Sequence, residues 1–163
     1  MVLMKINLKA LSSFLVEAKI STYASHNSDK IVPQRPNFDE LVFSKGDWDY
    51  RDSYCGFFSA PGQEVVRYKG TPVWAMAYSG GMLSKYWGDV NFAKETFGFL
   101  KSALGLVKVS APYRGPKKLK KGDFEYTSKV KGDITSFVGH EVINFKGKKV
   151  FEQDYIGGLI VDK

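Results

Sequence analysis

A stretch of 22 residues occurs twice in this chain of 163 residues, and this repeat constrains the fold more than any other feature. Residues 62–83 read GQEVVRYKGTPVWAMAYSGGML, and residues 139–160 read GHEVINFKGKKVFEQDYIGGLI, aligned without a gap at an offset of 77. Nine of the 22 positions are identical. A repeat with only two copies predicts two related halves, about residues 1–83 and 84–163, that share one core in a single domain over residues 1–163.

A helical pattern precedes each copy of the repeat. Apolar residues recur at helical spacing over about residues 8–20 and again over residues 90–104. Asn7 and Asp89 stand where N-cap residues are expected, and Gly105 stands where the second helix would stop. The polar, proline-containing residues 21–37 are typical of a connecting loop.

Strand patterns follow each helix. Residues 41–58, 64–68 and 73–78 favour strands, with Lys69-Gly70 as a tight hairpin turn. The sequence KGDFEY at residues 121–126 repeats KGDWDY at residues 45–50. The predicted fold class is therefore α+β, with one helix and three strands in each half. These strands would form an antiparallel sheet or a partly closed barrel with the two helices packed on it.

The composition excludes several classes of protein. No apolar run approaches the roughly 20 residues that a membrane-spanning helix needs. The single cysteine, Cys55, fits a reducing cytoplasm, and it lies far in sequence from His26 and His140, which argues against a zinc site. No phosphate-cradling glycine loop is present, and we expect neither a metal nor another cofactor.

The net charge of +7 is concentrated in the second half, where fifteen Lys and Arg face nine Asp and Glu. The segment RGPKKLKK at residues 114–121 is its most basic part. Phosphate binding needs such cations on one face, which makes candidates for nucleic-acid binding of Arg114, Lys117, Lys118, Lys120 and Lys121. No recognised nucleic-acid-binding motif accompanies them, so the alternative is a solvated loop.

Two glutamates occupy equivalent positions in the repeat. Strand alternation places Glu64 and Glu141 on the more apolar faces of their strands. A carboxylate there must be paired, hydrogen-bonded or protonated. Two such acids brought together could perform acid–base catalysis, while the alternative is a structural role in fixing the hairpin. Because both halves retain the glutamate, the structural role is favoured.

Features found in only one half are better candidates for a functional site. The cluster RDSY at residues 51–54 has the counterpart TSKV at residues 127–130. Aromatic walls with charged residues to orient a polar ligand are typical of a binding pocket, although aromatic stripes also fill cores. The predicted ligand-binding residues are Trp48, Tyr50, Arg51, Asp52, Tyr54, Trp74 and Met76.

Three sequence segments together resemble an uncharacterised prokaryotic domain family. They are GDWDYRDSY at residues 46–54, GQEVV at residues 62–66 and PVW at residues 72–74, followed later by YRGP at residues 113–116. The resemblance covers essentially the whole chain and departs from the family pattern at Cys55-Gly56-Phe57. Family members occur alone or behind a helix-turn-helix domain of the phage-repressor type, whereas this chain starts directly at the domain. The resemblance implies a domain that senses a ligand or partner and implies no particular activity.

These observations favour a non-enzymatic module that binds or senses a small molecule or a protein partner through an aromatic-lined pocket. The first alternative is a small enzyme that uses Glu64 and Glu141 as acid and base. The second alternative is nucleic-acid binding through residues 114–121.

Overall fold

The computed structural model describes residues 6–25 and 31–162. His26 and part of the predicted loop at residues 21–37 lie outside the described residues. The first elements are helix α1 (Leu8–Ser21) and strands β1 (Asp39–Lys45), β2 (Trp48–Tyr54), β3 (Gly62–Tyr68) and β4 (Thr71–Met82). A short 3-10 turn (Ser84–Tyr86) leads to helix α2 (Val90–Leu104) and strands β5 (Lys118–Lys121), β6 (Phe124–Asp133), β7 (Ser136–Phe145) and β8 (Lys148–Leu159).

Within the described residues, eight strands form one antiparallel sheet in the order β1-β2-β3-β4-β8-β7-β6-β5. The predicted α+β class and antiparallel sheet are confirmed. The sheet is open, with β1 and β5 as its edges, so the barrel alternative does not form. The prediction of three strands in each half was wrong, because each half has four. The strand predicted over residues 41–58 is two strands, β1 and β2, and β5 precedes the strands predicted for the second half. Strand β5 lies within the basic segment predicted as a loop, and it pairs with β6.

Both helices begin and end close to the predicted residues. The Asn7 side chain accepts a hydrogen bond from the backbone N–H of Ala10, and the Asp89 side chain accepts one from that of Phe92. These bonds satisfy amide groups that a helix start leaves without partners. Helix α2 ends at Gly105, as predicted.

The hairpin turns have the backbone that their sequence requires. Lys69 and Gly70 have φ angles of 51° and 79°, and Lys146 and Gly147 have φ angles of 49° and 76°. Two successive positive φ angles define a type I′ turn, whose twist matches that of paired strands. Each turn therefore fixes the register of its hairpin.

The two helices pack against the same face of the sheet. Alternate residues of β4 point to this face, and they join the core beneath α1 through Trp74 and Met76 and the core beneath α2 through Met82. The opposite face is more open and exposes Val138 and Ile156. A cavity can therefore form on the face of the sheet that carries the helices.

Two glycines leave space for tyrosine rings at the centre of the sheet. Gly62 pairs with Tyr78, and Gly139 pairs with Tyr155. A Cβ atom added to Gly139 would lie 2.1 Å from the Cζ atom of Tyr155, and one added to Gly62 would lie 2.4 Å from the Tyr78 hydroxyl oxygen. The glycines shared by the two copies of the repeat thus have a packing role.

We expect Gly139→Ala to lower the free energy of unfolding by about 1–3 kcal/mol, because the new methyl group overlaps a buried ring. Urea unfolding followed by tryptophan fluorescence would measure the change. The same substitution in a Tyr155→Ala background should cost much less, since the ring is then absent. An equal cost in both backgrounds would contradict the steric explanation.

Candidate ligand-binding site

A cavity of about 410 Å³ lies between the sheet, helix α2 and the connection from β2 to β3. Its walls are largely aromatic. The aromatic lining residues are Tyr23, Tyr54, Phe57, Tyr78, Phe97 and Phe151. The volume falls within the range of about 300–1,000 Å³ that small-molecule sites occupy.

Two polar side chains form the floor of this cavity. Asp52 projects from β2 and is only 3% exposed, and its Oδ1 accepts a hydrogen bond of 2.6 Å from the Tyr78 hydroxyl. Gln153 projects from β8, and its Nε2 donates to Oε1 of Glu141 at 3.1 Å. Asp52 Oδ2 and Gln153 Oε1 accept no hydrogen bond from the described residues. Since every fully buried polar side-chain atom there has a partner, these two oxygens reach the cavity surface.

Asp52 titrates near neutral pH. Burial, together with the negative charge of Glu64, raises the pKa of its carboxyl from the ordinary value of 3.8 to about 7. Lys19 and Arg114 act in the opposite direction and do not cancel the effect of burial. The carboxyl can therefore donate a hydrogen bond from its protonated form or carry a negative charge at physiological pH.

Arg114 joins the two halves of the chain beneath the cavity. Its Nε and Nη2 atoms donate to Oε1 of Glu141 at 3.1 and 2.7 Å, and its Nη1 atom lies 3.9 Å from Oε1 of Glu64. Glu64 also forms an ion pair with Lys19 of α1. Burial lowers the pKa of Lys19, and Glu64 opposes this effect. These four groups form a buried ion network with two positive and two negative charges.

The two predicted glutamates therefore meet at one guanidinium group. Both carboxylates contact buried cations, and the Tyr126 hydroxyl donates to the second oxygen of Glu141 at 2.6 Å. Neither Glu64 nor Glu141 lines the cavity of 410 Å³. The geometry matches the expectation that a carboxylate on an apolar face must be paired.

The structure separates the other predicted ligand-binding residues. Of the seven, Asp52 and Tyr54 line the cavity. Trp74, Met76 and Tyr50 are buried in the core beneath α1.

The remaining two predicted residues lie elsewhere. Trp48 lies at the far end of β2, where its ring stacks on Phe14 and contacts Tyr68. Arg51 points to the opposite face of the sheet from Asp52 and forms an ion pair with Glu40. Neighbouring residues of the cluster at residues 51–54 therefore point to opposite faces of β2.

The basic segment at residues 114–121 also separates into a buried residue and exposed residues. Arg114 is buried, with 8% of its surface exposed, and it lines the cavity. Lys117, Lys118, Lys120 and Lys121 are exposed at or near edge strand β5, where Lys118 pairs with Glu125 at 2.9 Å. Lysines on an edge strand discourage pairing with other chains.

Several lining residues have no clear signal in the sequence. Helix α2 packs mainly on strands of the second half and contributes Phe97, Gly98, Lys94 and Lys101 to the cavity, so their approach to first-half residues depends on the tertiary fold. The Lys101 ammonium lies 5.4 Å from the centroid of the Tyr23 ring. Gln153 could have been found, because it replaces Met76 in the repeat.

No group of three or more His, Cys, Asp or Glu side chains in the described part of the chain could hold a metal ion. His140 contacts Asp154 at 2.6 Å on the exposed side of the sheet. Across residues 6–25 and 31–162, the helices are too short or too polar to span a membrane.

Fold and site together define an α+β protein with an open antiparallel sheet, two helices on one face and a cavity of ligand size. The chain belongs to the family described as Domain of unknown function (DUF5680), whose family model matches residues 52–160, or 109 of 163 residues. The resemblance to an uncharacterised domain family is thereby confirmed. No curated protein and no solved structure matches the chain. The matched region includes Asp52, Arg114 and Gln153.

Proposed function

We propose that this protein binds a small organic molecule in the cavity beside α2 and acts as a binding or sensing module without catalysing a reaction. The observation that carries the proposal is the pair of acceptor oxygens on the cavity floor, Asp52 Oδ2 and Gln153 Oε1. Polar atoms in such sheltered positions normally have hydrogen-bond partners. A ligand that brings donors to the floor and a flat apolar body to the aromatic walls would satisfy both parts of the site.

The differences between the halves support this proposal. We infer that the two halves are copies of one unit, because the strand order mirrors itself about β4 and β8. Several positions that line the cavity differ between the copies, although Tyr78, Gly80 and Gly81 also line it and are identical in both. Asp52 and Tyr54 have the counterparts Ser128 and Val130, and the seven-residue connection at residues 55–61 replaces a two-residue turn at residues 134–135. The shared residues mostly build the scaffold.

Gly98 provides independent support. It lies within α2 and lines the cavity, and a Cβ atom added there would meet no heavy atom within 4 Å. Glycine inside a helix costs about 1 kcal/mol relative to alanine. Neither backbone strain nor close packing explains this glycine, whereas an open cavity does.

We expect Gly98→Ala to raise the free energy of unfolding by about 0.5–1 kcal/mol and to retain ligand binding. Gly98→Phe should fill the cavity and abolish binding. A thermal-shift screen with a broad metabolite set would compare both variants with the unmodified protein. Compounds that stabilise the unmodified protein and Gly98→Ala, and leave Gly98→Phe unchanged, are the expected result.

Two outcomes of this screen would contradict the proposal. In the first, no compound stabilises the unmodified protein. In the second, the stabilising compounds act equally on Gly98→Phe, which would place their binding site elsewhere on the surface.

The two alternative functions have less support. Acid–base catalysis would need Glu64 and Glu141 to reach a substrate, and both are held by buried cations away from the cavity. Nucleic-acid binding would rest on Lys117, Lys118, Lys120 and Lys121, without Arg114. A cytoplasmic location is consistent with Cys55 as the single, unpaired cysteine of the chain.

A further inference from the structure

We propose that the ligand is a planar organic acid whose anionic group lies between Arg114 and the carboxyl group of Asp52. This inference rests on the proposed function and names the chemical class of its ligand. It follows from the charges around the cavity floor, the uncommitted hydrogen-bond donors there and the shape of the walls.

The groups that face Asp52 include charges of both signs. Lys19 on α1 and Arg114 are the cations near Asp52, and the negative charge of Glu64 on β3 has the largest electrostatic effect on its carboxyl. Lys19 is paired with Glu64, and Arg114 with Glu141. Tyr78 on β4 donates its hydroxyl hydrogen to Asp52. A cationic ligand at Asp52 would lie beside two like charges in a setting where burial strengthens their repulsion.

The lysine side chains that line the cavity also favour an anionic ligand. The exposed Lys94 and the half-buried Lys101 of α2 line the cavity, and Asp39 also lines it. Lysines at an opening raise the local concentration of anions and speed their association. An organic acid thus meets positive charge both at the entrance and at the floor.

The floor has donors for an anionic group. The Nε and Nη2 atoms of Arg114 are committed to Glu141, whereas Nη1 lies 3.9 Å from Glu64, beyond hydrogen-bond distance. A protonated Asp52 adds an O–H donor on its Oδ2 atom. A carboxylate placed between them would accept one hydrogen bond from each, both with the strength that charge assistance gives.

The aromatic walls favour a planar body for the ligand. Phe57 and Phe97 meet edge to face, with ring centroids 5.5 Å apart, and Tyr54 lines the cavity near Asp52. Burial raises the pKa of Tyr54 to about 12, so its hydroxyl stays neutral and adds no negative charge. Flat conjugated ligands pack against such rings with little loss of conformational entropy.

Three probes with one aromatic body and different head groups would test the proposal. They are 2-naphthoate, 2-naphthamide and 2-naphthamidine, which are anionic, neutral and cationic. Isothermal titration with the unmodified protein at pH 6 should show naphthoate binding at least tenfold more tightly than the other two. Because the anion needs protonated Asp52, its affinity should fall about tenfold for each pH unit above about 7.

Asp52→Asn provides the matched control. Its amide N–H can replace the carboxyl donor, so naphthoate should bind at pH 6 within about threefold of the unmodified protein, and the decline above pH 7 should disappear. If Asp52 did not contact the ligand, Asp52→Asn would bind naphthoate with the same pH dependence as the unmodified protein. Gly98→Phe should abolish binding of all three probes.

The outcomes separate this inference from the proposed function. Tightest binding of naphthamidine, with affinity that rises with pH, would overturn the inference and leave cavity binding intact. Equal binding of all three probes, sensitive to Gly98→Phe, would do the same. If no probe binds and the metabolite screen finds no ligand, the proposed function fails as well.

Discussion

Arg114→Met is expected to lower the free energy of unfolding by about 3–5 kcal/mol, the largest effect that the structure predicts for a single substitution. The guanidinium group is buried and donates two hydrogen bonds to Glu141. It also lies 3.9 Å from Glu64. Methionine preserves much of the volume and removes the charge, which leaves Glu141 buried without its cation. Removing one partner of a buried ion pair costs much more than the net contribution of the intact pair.

Urea unfolding at pH 7 would measure this loss. Lys117→Met is the matched control, because it removes a cation from the same basic segment at an exposed position. Its expected effect is below about 0.5 kcal/mol. The double variant Arg114→Met with Glu141→Met should recover much of the loss, since no unpaired charge then remains beside Tyr126. A loss for Arg114→Met no larger than that for Lys117→Met would contradict the buried network.

This network shows what the sequence could and could not predict. The repeat and the strand alternation indicated that Glu64 and Glu141 need partners. The sequence did not indicate that one partner is Arg114, because the arginine is 50 residues from Glu64 and 27 from Glu141 along the chain. Composition instead grouped Arg114 with the exposed lysines that follow it. Pairing across such distances depends on how the sheet brings its strands together.

Asp52→Asn is expected to gain stability relative to the unmodified protein as pH rises. In the unfolded chain Asp52 ionises near 3.8, whereas in the folded protein its pKa is about 7. Between these values the folded state binds the extra proton, so its stability falls by about 1.4 kcal/mol per pH unit, and the fall ends above about pH 7. Asparagine stays neutral and can still accept the Tyr78 hydrogen bond. The variant should therefore gain roughly 3 kcal/mol on the unmodified protein between pH 5 and pH 8.

Parallel urea titrations of both proteins at half-unit pH steps would give this difference. Comparing the two curves removes the contribution of other titrating groups, provided that they respond alike in both proteins. A difference that stays constant from pH 5 to pH 8 would show that Asp52 keeps an ordinary pKa in the folded state. That result would also remove the basis for a protonated Asp52 at the cavity floor.

Local signals in the sequence predicted the helices and hairpins well. Asn7, Asp89 and Gly105 mark helix ends through short-range hydrogen bonds and backbone preference, so a single sequence reveals them. Edge strand β5 was missed, because an edge strand needs little apolar alternation and β5 is mostly lysine. Most of β1 was included in the strand predicted over residues 41–58, where it was not separated from β2. Of the residues predicted to bind a ligand, Asp52 and Tyr54 line the cavity. Its other wall comes from α2, whose docking on the sheet leaves no short-range signature in the sequence.

The strand order has a consequence for the way the chain reaches its native state. Strand β4 borders β8 at the centre of the sheet, and their first residues, Thr71 and Lys148, are 77 positions apart. During synthesis, β4 would emerge with an unpaired edge and wait until β8 has left the ribosome. Central pairing across so long a loop predicts slow folding, and the exposed β4 edge is the place where two nascent chains would exchange strands.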